Sequence, residues 1–211
     1  MVPPRLRAES PGLVTAPPYA LSTMLRDIER VLIDRERIAT RVREIAAAMS
    51  ADFARDTAHL PEAERDGRIV LMPVLTGSIV FVADLIRHLP HKLSLGLVAV
   101  SSYPGKSVES KGVSIRGELP ADLEGKHVVI IDDILDSGQT LDVLSRLVRE
   151  RRPASVRLCV LLRKPGKARI DVRPDYVGFD IPDEFVVGYG LDYDGFYRNH
   201  PEIVTLRPEA R

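Results

Sequence analysis

His127-Val128-Val129-Ile130-Ile131-Asp132-Asp133-Ile134-Leu135-Asp136-Ser137-Gly138-Gln139-Thr140-Leu141 is the stretch on which the fold turns. Val128 to Ile131 is apolar and β-branched without alternation, the pattern of a central parallel strand covered by helices on both faces. The carboxyl end of such a strand opens into a ligand crevice. Here it meets the adjacent acids Asp132 and Asp133. The chain then passes Asp136 and turns through Ser137, Gly138, Gln139 and Thr140 into a helical pattern carried by Leu141, Leu144, Leu147 and Val148. A helix start with free N–H groups, two hydroxyls and a permissive glycine attracts phosphate.

Adjacent carboxylates repel a phosphate unless they bind something else. Ribose hydroxyls donating to them, or a bound cation, would resolve the conflict, and so would a plain strand end that caps the next helix. The third acid and the Ser-Gly-x-Thr turn favour a ribose beside a phosphate. Other phosphate motifs have little support: no G-x-x-x-x-G-K-[ST] occurs, and the nearest approach to G-x-G-x-x-G, from Gly188, has Tyr193 at the third glycine. Asp192-Tyr193-Asp194-Gly195 places its glycine too early for an EF-hand loop.

The chain has 211 residues, 45% hydrophobic and 28% charged, enough for one sizeable core. Thirty basic and thirty acidic residues balance to zero, so no bulk attraction to nucleic acid or membrane is expected. The single cysteine, Cys159, sits in the apolar run Leu158 to Leu162 and is expected to be a buried structural thiol. The five histidines, His59, His88, His91, His127 and His200, show no ligand spacing and are expected at the surface or at helix ends. Residues 1–20, with Pro3, Pro4, Pro11, Pro17 and Pro18, lack the apolar core of a signal peptide and read as a loosely packed tail. No apolar stretch approaches the roughly 20 residues that cross a bilayer. A cytoplasmic protein is expected.

An α/β fold follows, a mostly parallel twisted sheet flanked by helices, in one domain over 21–211. Ile38, Val42, Ile45, Ala46 and Met49 predict a helix at about 35–55. Ile69 to Val74 reads as a strand, Leu75-Thr76-Gly77 as a turn, and Gly77 to His88 as a helix packed through Ile79, Val80, Val82, Ala83 and Ile86. Leu95 to Val100, Leu158 to Leu162 and Tyr176 to Phe179 are further strands. Residues 101–124 break this pattern with Gly, Ser, Lys and Glu. They are a lid, a disordered excursion or an ordinary hairpin.

The opening run resembles the phosphoribosyl-diphosphate signature of the type I phosphoribosyltransferases: four apolar residues, two acids, two apolar residues, an acid, a hydroxyl residue, Gly, any residue and Thr. Over about residues 35–200 the chain is most similar to the hypoxanthine-guanine branch. Val74 to Ser78 followed by Phe81 to Leu85 looks like that branch's diphosphate loop and helix, Ser102-Tyr103 like the start of its lid, and Asp175 to Tyr193 like its purine-binding segment.

The resemblance implies transfer of phosphoribosyl from 5-phosphoribosyl 1-diphosphate to a 6-oxopurine, with a base-binding hood at about 176–211. It assigns Asp132 and Asp133 to the ribose hydroxyls, Asp136 with Ser137, Gly138, Gln139 and Thr140 to the 5-phosphate region, and Asp136 to general base chemistry at N7. Leu75, Thr76, Gly77 and Arg198 would hold pyrophosphate, with a cis Leu75–Thr76 peptide. Thr76 departs from the lysine of several members, which leaves backbone N–H groups as donors there. Lys164 would donate to the purine O6 and so reject adenine, Phe185 would stack on the ring with Ile134 on its other face, and Val186 and Asp192 would meet the remaining edge. Mg2+ would accompany the donor, with Asp192 as the protein ligand and Asp132 and Asp133 as further candidates. A homodimer or homotetramer, acting on neither nucleic acid nor membrane, is implied. Two other readings stay open: an RNA-binding attenuation regulator on the same fold, which the balanced charge disfavours, and a transferase for xanthine or a pyrimidine.

Overall fold

The computed structural model describes residues 23–102, 113–116 and 119–211. The expected tail at 1–20, Tyr103 and most of the expected lid lie outside the described residues.

At the centre stands β6 (His127–Leu135), with Val128 to Ile131 wholly buried. It pairs in parallel with β2 (Ile69–Leu75) on one side and β7 (Ser155–Arg163) on the other. Two covered faces and two strand neighbours explain why its sequence does not alternate. The strand does not end at Ile131 but carries Asp132 and Asp133 within it. Pairing with β2 stops at Pro73 opposite Ile131, whereas β7 follows β6 to Leu135. Beyond Pro73, β2 turns to β4 (Val98–Ser102), pairing Val74 with Val98. The parting of β2 from β6 opens a crevice beside the two acids.

The full sheet order is β5-β4-β2-β6-β7-β8, with β5 (Val113–Arg116) antiparallel to β4 and β8 (Tyr176–Asp180) parallel to β7. The single strand expected over Leu95 to Val100 is two: β3 (Leu93–Leu95), paired to the first half of β2, and β4. They are separated at Gly96, whose N–H donates to the Leu71 carbonyl at 2.9 Å and where a Cβ would lie 2.4 Å from Pro120.

Alternation along the strands divides the interior into two cores. Leu71, Val129 and Ile131 face α2 (Arg35–Asp56) and α4 (Ile79–Ile86), while Val70, Met72, Val128 and Ile130 face α5 (Gln139–Arg149). Asp34 caps α2 by accepting the Arg37 N–H at 2.8 Å, and the expected face is buried with Phe53 added. Phe53 is fully buried and edge-on to His91. Phe53→Ala is expected to cost about 3–5 kcal/mol, read in denaturant titration as a lower midpoint at unchanged slope.

Helix α4 keeps most of the face expected of it, since Val80, Val82 and Ile86 lie in or against the core, and departs from it at Ile79 and Ala83. Phe81, Val82 and Leu85 are buried, whereas Ile79 and Ala83 are exposed. The Ser78 hydroxyl donates to the Val74 carbonyl at 2.6 Å, which ties the first turn to the end of β2. Two histidines also depart from the surface positions expected of them. His127 is buried with Nδ1 2.9 Å from Ser155 Oγ, and His200 is buried as well. Cys159 is buried, and burial pushes its thiol far up, away from the reactive thiolate.

A second sheet, not foreseen from the sequence, joins distant parts of the chain. It is antiparallel in the order β1-β10-β9, formed by Ile28–Ile33, Ile203–Leu206 and Val186–Val187. Val187, Val204 and Leu206 make its own small core. Residues 176–211 are thus shared between the two sheets, since β8 belongs to the main one. Short helices α1 (Thr23–Asp27) and α3 (Glu62–Arg65) and a terminal 3-10 turn (Pro208–Ala210) complete the described chain. Among the described residues no helix is long and apolar enough to cross a membrane.

Candidate active site

Where β2 leaves β6, Asp132 is buried and Asp133 lies partly open to the crevice. The Asp133 N–H donates to Asp132 Oδ1 at 3.0 Å, and the Ile134 N–H donates to Asp133 Oδ1 at 2.9 Å. These short local bonds hold the carboxylates but satisfy few of their lone pairs. Burial, with the neighbouring charge of Asp133, drives Asp132 well above the usual carboxylate range. Burial raises Asp133 too, opposed by its bond to Asp132, by the Ile134 N–H and by the more distant Arg198 guanidinium. Hydroxyl donors or a cation would relieve both.

Next along the chain, Asp136 is exposed and Gly138 takes φ +83° as the residue before α5. The left-handed turn requires glycine. Its carbonyl starts the helix by accepting the Asp142 N–H at 3.0 Å, and the Ser137 carbonyl accepts the Arg169 N–H at 3.1 Å, which braces the turn from behind. The first N–H groups of α5 have no acceptor within the helix, and Thr140 and Leu141 of its first turn line the crevice, the arrangement that suits an anion.

Opposite stands the end of β2, where the Leu75–Thr76 peptide is cis. Gly77 follows in contact with the acids: a Cβ there would lie 1.7 Å from Asp133 Oδ2. Gly190, at φ +104°, packs in turn on Gly77, since its own Cβ would lie 2.2 Å from the Gly77 carbonyl. Arg198 closes this side, with Nη2 2.7 Å from Asp192 Oδ1 and Nη1 donating to the Gly190 carbonyl at 2.7 Å. Asp192 Oδ2 accepts the Gly195 N–H at 2.8 Å.

One cavity of about 390 Å3 gathers most of the residues singled out from sequence. Leu75, Thr76 and Gly77 form one wall and Asp132, Asp133 and Ile134 the floor. Asp136, Ser137, Gly138 and Thr140 form the facing wall, and Asp192 and Arg198 the third side. Gln139 is not on the lining; its N–H turns to Ser137 Oγ at 3.4 Å. Lys164, Phe185 and Val186 lie outside this cavity as well. Lys164 is tied to it through its N–H, which donates to the Leu135 carbonyl at 3.3 Å, while its Nζ rests 3.1 Å from Asp183 Oδ1. The Phe185 ring is 41% exposed and meets Tyr193 edge-on at 5.5 Å, and Val186 is buried in β9. Ser102 ends β4.

Asp183, Gly190 and Tyr193 take part in this arrangement without having been assigned a task from sequence. Asp183 carried a weak signal in the Ile-Pro-Asp-Glu turn after β8. Gly190 had one in the Gly-x-Gly spacing that fails as a dinucleotide motif.

A model of the phosphoribosyl transferase domain family matches residues 33–194. The chain is 42% identical over 185 residues to a hypoxanthine-guanine phosphoribosyltransferase of Bacillus subtilis (strain 168), covering 88% of this chain and 97% of that relative. It superposes on a crystal structure of a hypoxanthine phosphoribosyltransferase from Staphylococcus aureus with a TM-score of 0.77 at 40% identity, covering 89% of this chain and 96% of that one. A ternary substrates complex of a mutant hypoxanthine phosphoribosyltransferase from Trypanosoma cruzi aligns with a TM-score of 0.79 at 38% identity, over 88% of this chain and 98% of the other. On this sequence and structural evidence, the chain belongs to the phosphoribosyl transferase domain family.

Proposed function

We propose that this chain is a purine salvage enzyme that transfers phosphoribosyl from 5-phosphoribosyl 1-diphosphate to hypoxanthine, guanine or both, releasing pyrophosphate. The observation that carries the reading is the single cavity uniting a buried acid pair with an anion-binding helix start. Hydroxyl donors for the one and a phosphate for the other occur together in a ribose 5-phosphate.

In this reading Asp132 and Asp133 accept hydrogen bonds from the 2′- and 3′-hydroxyls, which relieves the carboxylates that burial has raised. Backbone N–H groups of the Ser137 to Thr140 turn hold the 5-phosphate. Asp136, exposed at the cavity wall, takes the proton from purine N7 as the glycosidic bond forms. Its charge also stabilises the positive charge developing on the ribose. The Thr76 and Gly77 N–H groups and Arg198 receive the diphosphate. Lys164 donates to O6, Phe185 stacks on the ring with Ile134 on its other face, and backbone groups of Val186 and Asp192 meet the purine edge.

Among the described residues no group of three or more His, Cys, Asp or Glu side chains could hold a metal. Asp192, with its carboxylate at the cavity, suits an ion that arrives on the donor and keeps substrate oxygens and water as most of its ligands. When bound, magnesium neutralises the charge of the leaving diphosphate.

The reading carries with it a cytoplasmic location and a homodimer or homotetramer. Competition among hypoxanthine, guanine, xanthine and adenine with magnesium and donor tests the reaction. Oxopurine nucleotides are expected and adenine is expected to be excluded, because its amino group would set a donor against Lys164. Lys164→Gln is expected to blunt that exclusion by about tenfold, the scale of one charged hydrogen bond. No donor-dependent nucleotide formation with any oxopurine would overturn the assignment.

A further inference from the structure

We propose that Asp183 is a positioning residue that holds Lys164 ready for the base and sets the charge it presents. The proposal rests on the reading that Lys164 donates to the purine. Lys164 has a long, flexible stem with a side chain only 11% exposed. An ammonium so sheltered needs a partner before any base arrives. Asp183 supplies it, Oδ1 at 3.1 Å from Lys164 Nζ, while Oδ2 lies 2.5 Å from Lys167 Nζ. One carboxylate therefore bridges two lysines.

The bridge is rigidly mounted. Arg163, immediately before Lys164, makes a two-pronged pair with Asp180 at 2.6 and 2.9 Å, and the Ile181 N–H donates to the Arg163 carbonyl at 2.9 Å. The Glu184 N–H closes the following turn onto the Pro182 carbonyl at 2.8 Å, and Glu184 is ion-paired with Arg30 of β1. On the lysine side, the Lys167 N–H returns to the Lys164 carbonyl at 3.2 Å. Both ends are thus fixed to neighbouring strands, and Asp183 lies two residues before Phe185, the stacking ring. The lysines beside it hold its carboxyl below the usual range, so the bridge stays charged at neutral pH.

The two pairs differ in weight. Lys167 is 41% exposed, and surface pairs contribute little. Lys164 is the sheltered partner, so its orientation is what Asp183 controls. Without the carboxylate, the Lys164 stem gains rotational freedom and two cations stand unscreened beside the base. That favours an anionic base over a neutral one, and xanthine is the most acidic of the oxopurines.

The test is steady-state kinetics at saturating donor on the full chain. D183N is expected to raise the KM for hypoxanthine about tenfold, the scale of one charged hydrogen bond. Its kcat and donor KM should move by less than about threefold, the signature of lost ground-state binding. The ratio of kcat/KM for xanthine over hypoxanthine is expected to rise, and D183E to recover most of the loss. In a K164Q background, D183N is expected to add nothing. An unchanged hypoxanthine KM in D183N, with K164Q impaired, overturns the positioning role and leaves the function of Lys164 intact. An unchanged KM in K164Q itself overturns the parent reading of that lysine. Asp183 is more than half exposed, so D183N is expected to fold normally.

Discussion

Asp136→Asn is expected to lower turnover about 10²- to 10⁴-fold, the usual worth of a positioned general base, while donor affinity stays close to that of the parent. Asp136 is the first residue beyond β6 and stands exposed on the cavity wall. Asparagine keeps the volume and one carbonyl oxygen, so the turn through Ser137 and Gly138 is undisturbed. On the proposed reading, what is lost is a group that accepts a proton and a negative charge near the ribose carbon as the diphosphate departs. Donor binding by calorimetry, set beside single-turnover rates with hypoxanthine, separates the two. Equal losses in binding and turnover would contradict the base assignment and point to a phosphate-binding role instead.

Gly77→Ala is expected to reduce kcat/KM by about 10²-fold or more, because small displacements of a reacting group cost that much. The added Cβ would stand 1.7 Å from Asp133 Oδ2, far inside contact distance. Either the carboxylate swings away from its present place in the cavity or the Thr76–Gly77 loop backs off from it. The second response also strikes Gly190, which already packs on the Gly77 carbonyl. Stability changes less, since the strain is confined to the cavity wall, and thermal denaturation beside kinetics distinguishes the cases. A variant with parental kcat/KM would show that Asp133 does not need its present position.

The main sheet was legible because its strands carry the information locally. Val128 to Ile131, Ile69 to Val74 and Leu158 to Leu162 are apolar without interruption, and the helical spacing at Ile38, Val42 and Ile45 admits only one face. That Asp132, Asp133, Asp136, Ser137, Gly138 and Thr140 share one cavity was legible for the same reason: they are contiguous in the chain. What escaped depends on partners far away. Strand β9 is two residues long and exists only because β10 pairs with it, and β1 reads as Ile-Glu-Arg-Val-Leu-Ile with no clean period. On α4 the expected Val80, Val82 and Ile86 do pack inward, but Phe81 and Leu85 fill the core where Ile79 and Ala83 had been expected. Asp183 had no visible task, since the lysines it bridges lie 19 and 16 residues away.

The small sheet imposes an order on assembly. Every strand of the main sheet is complete by Asp180, so the cavity beside Asp132 and Asp133 contains nothing that waits for later residues except Asp192 and Arg198. The segment after Asp180 is different: Val186 and Val187 have β10 as their strand partner, and β10 is held in turn by β1 from the opposite end of the described chain. A nascent chain leaving the ribosome can therefore close most of the crevice beside the acid pair while the small sheet is still unformed. If the purine is held at Phe185 and Val186 as proposed, that part of the site is the last to be completed.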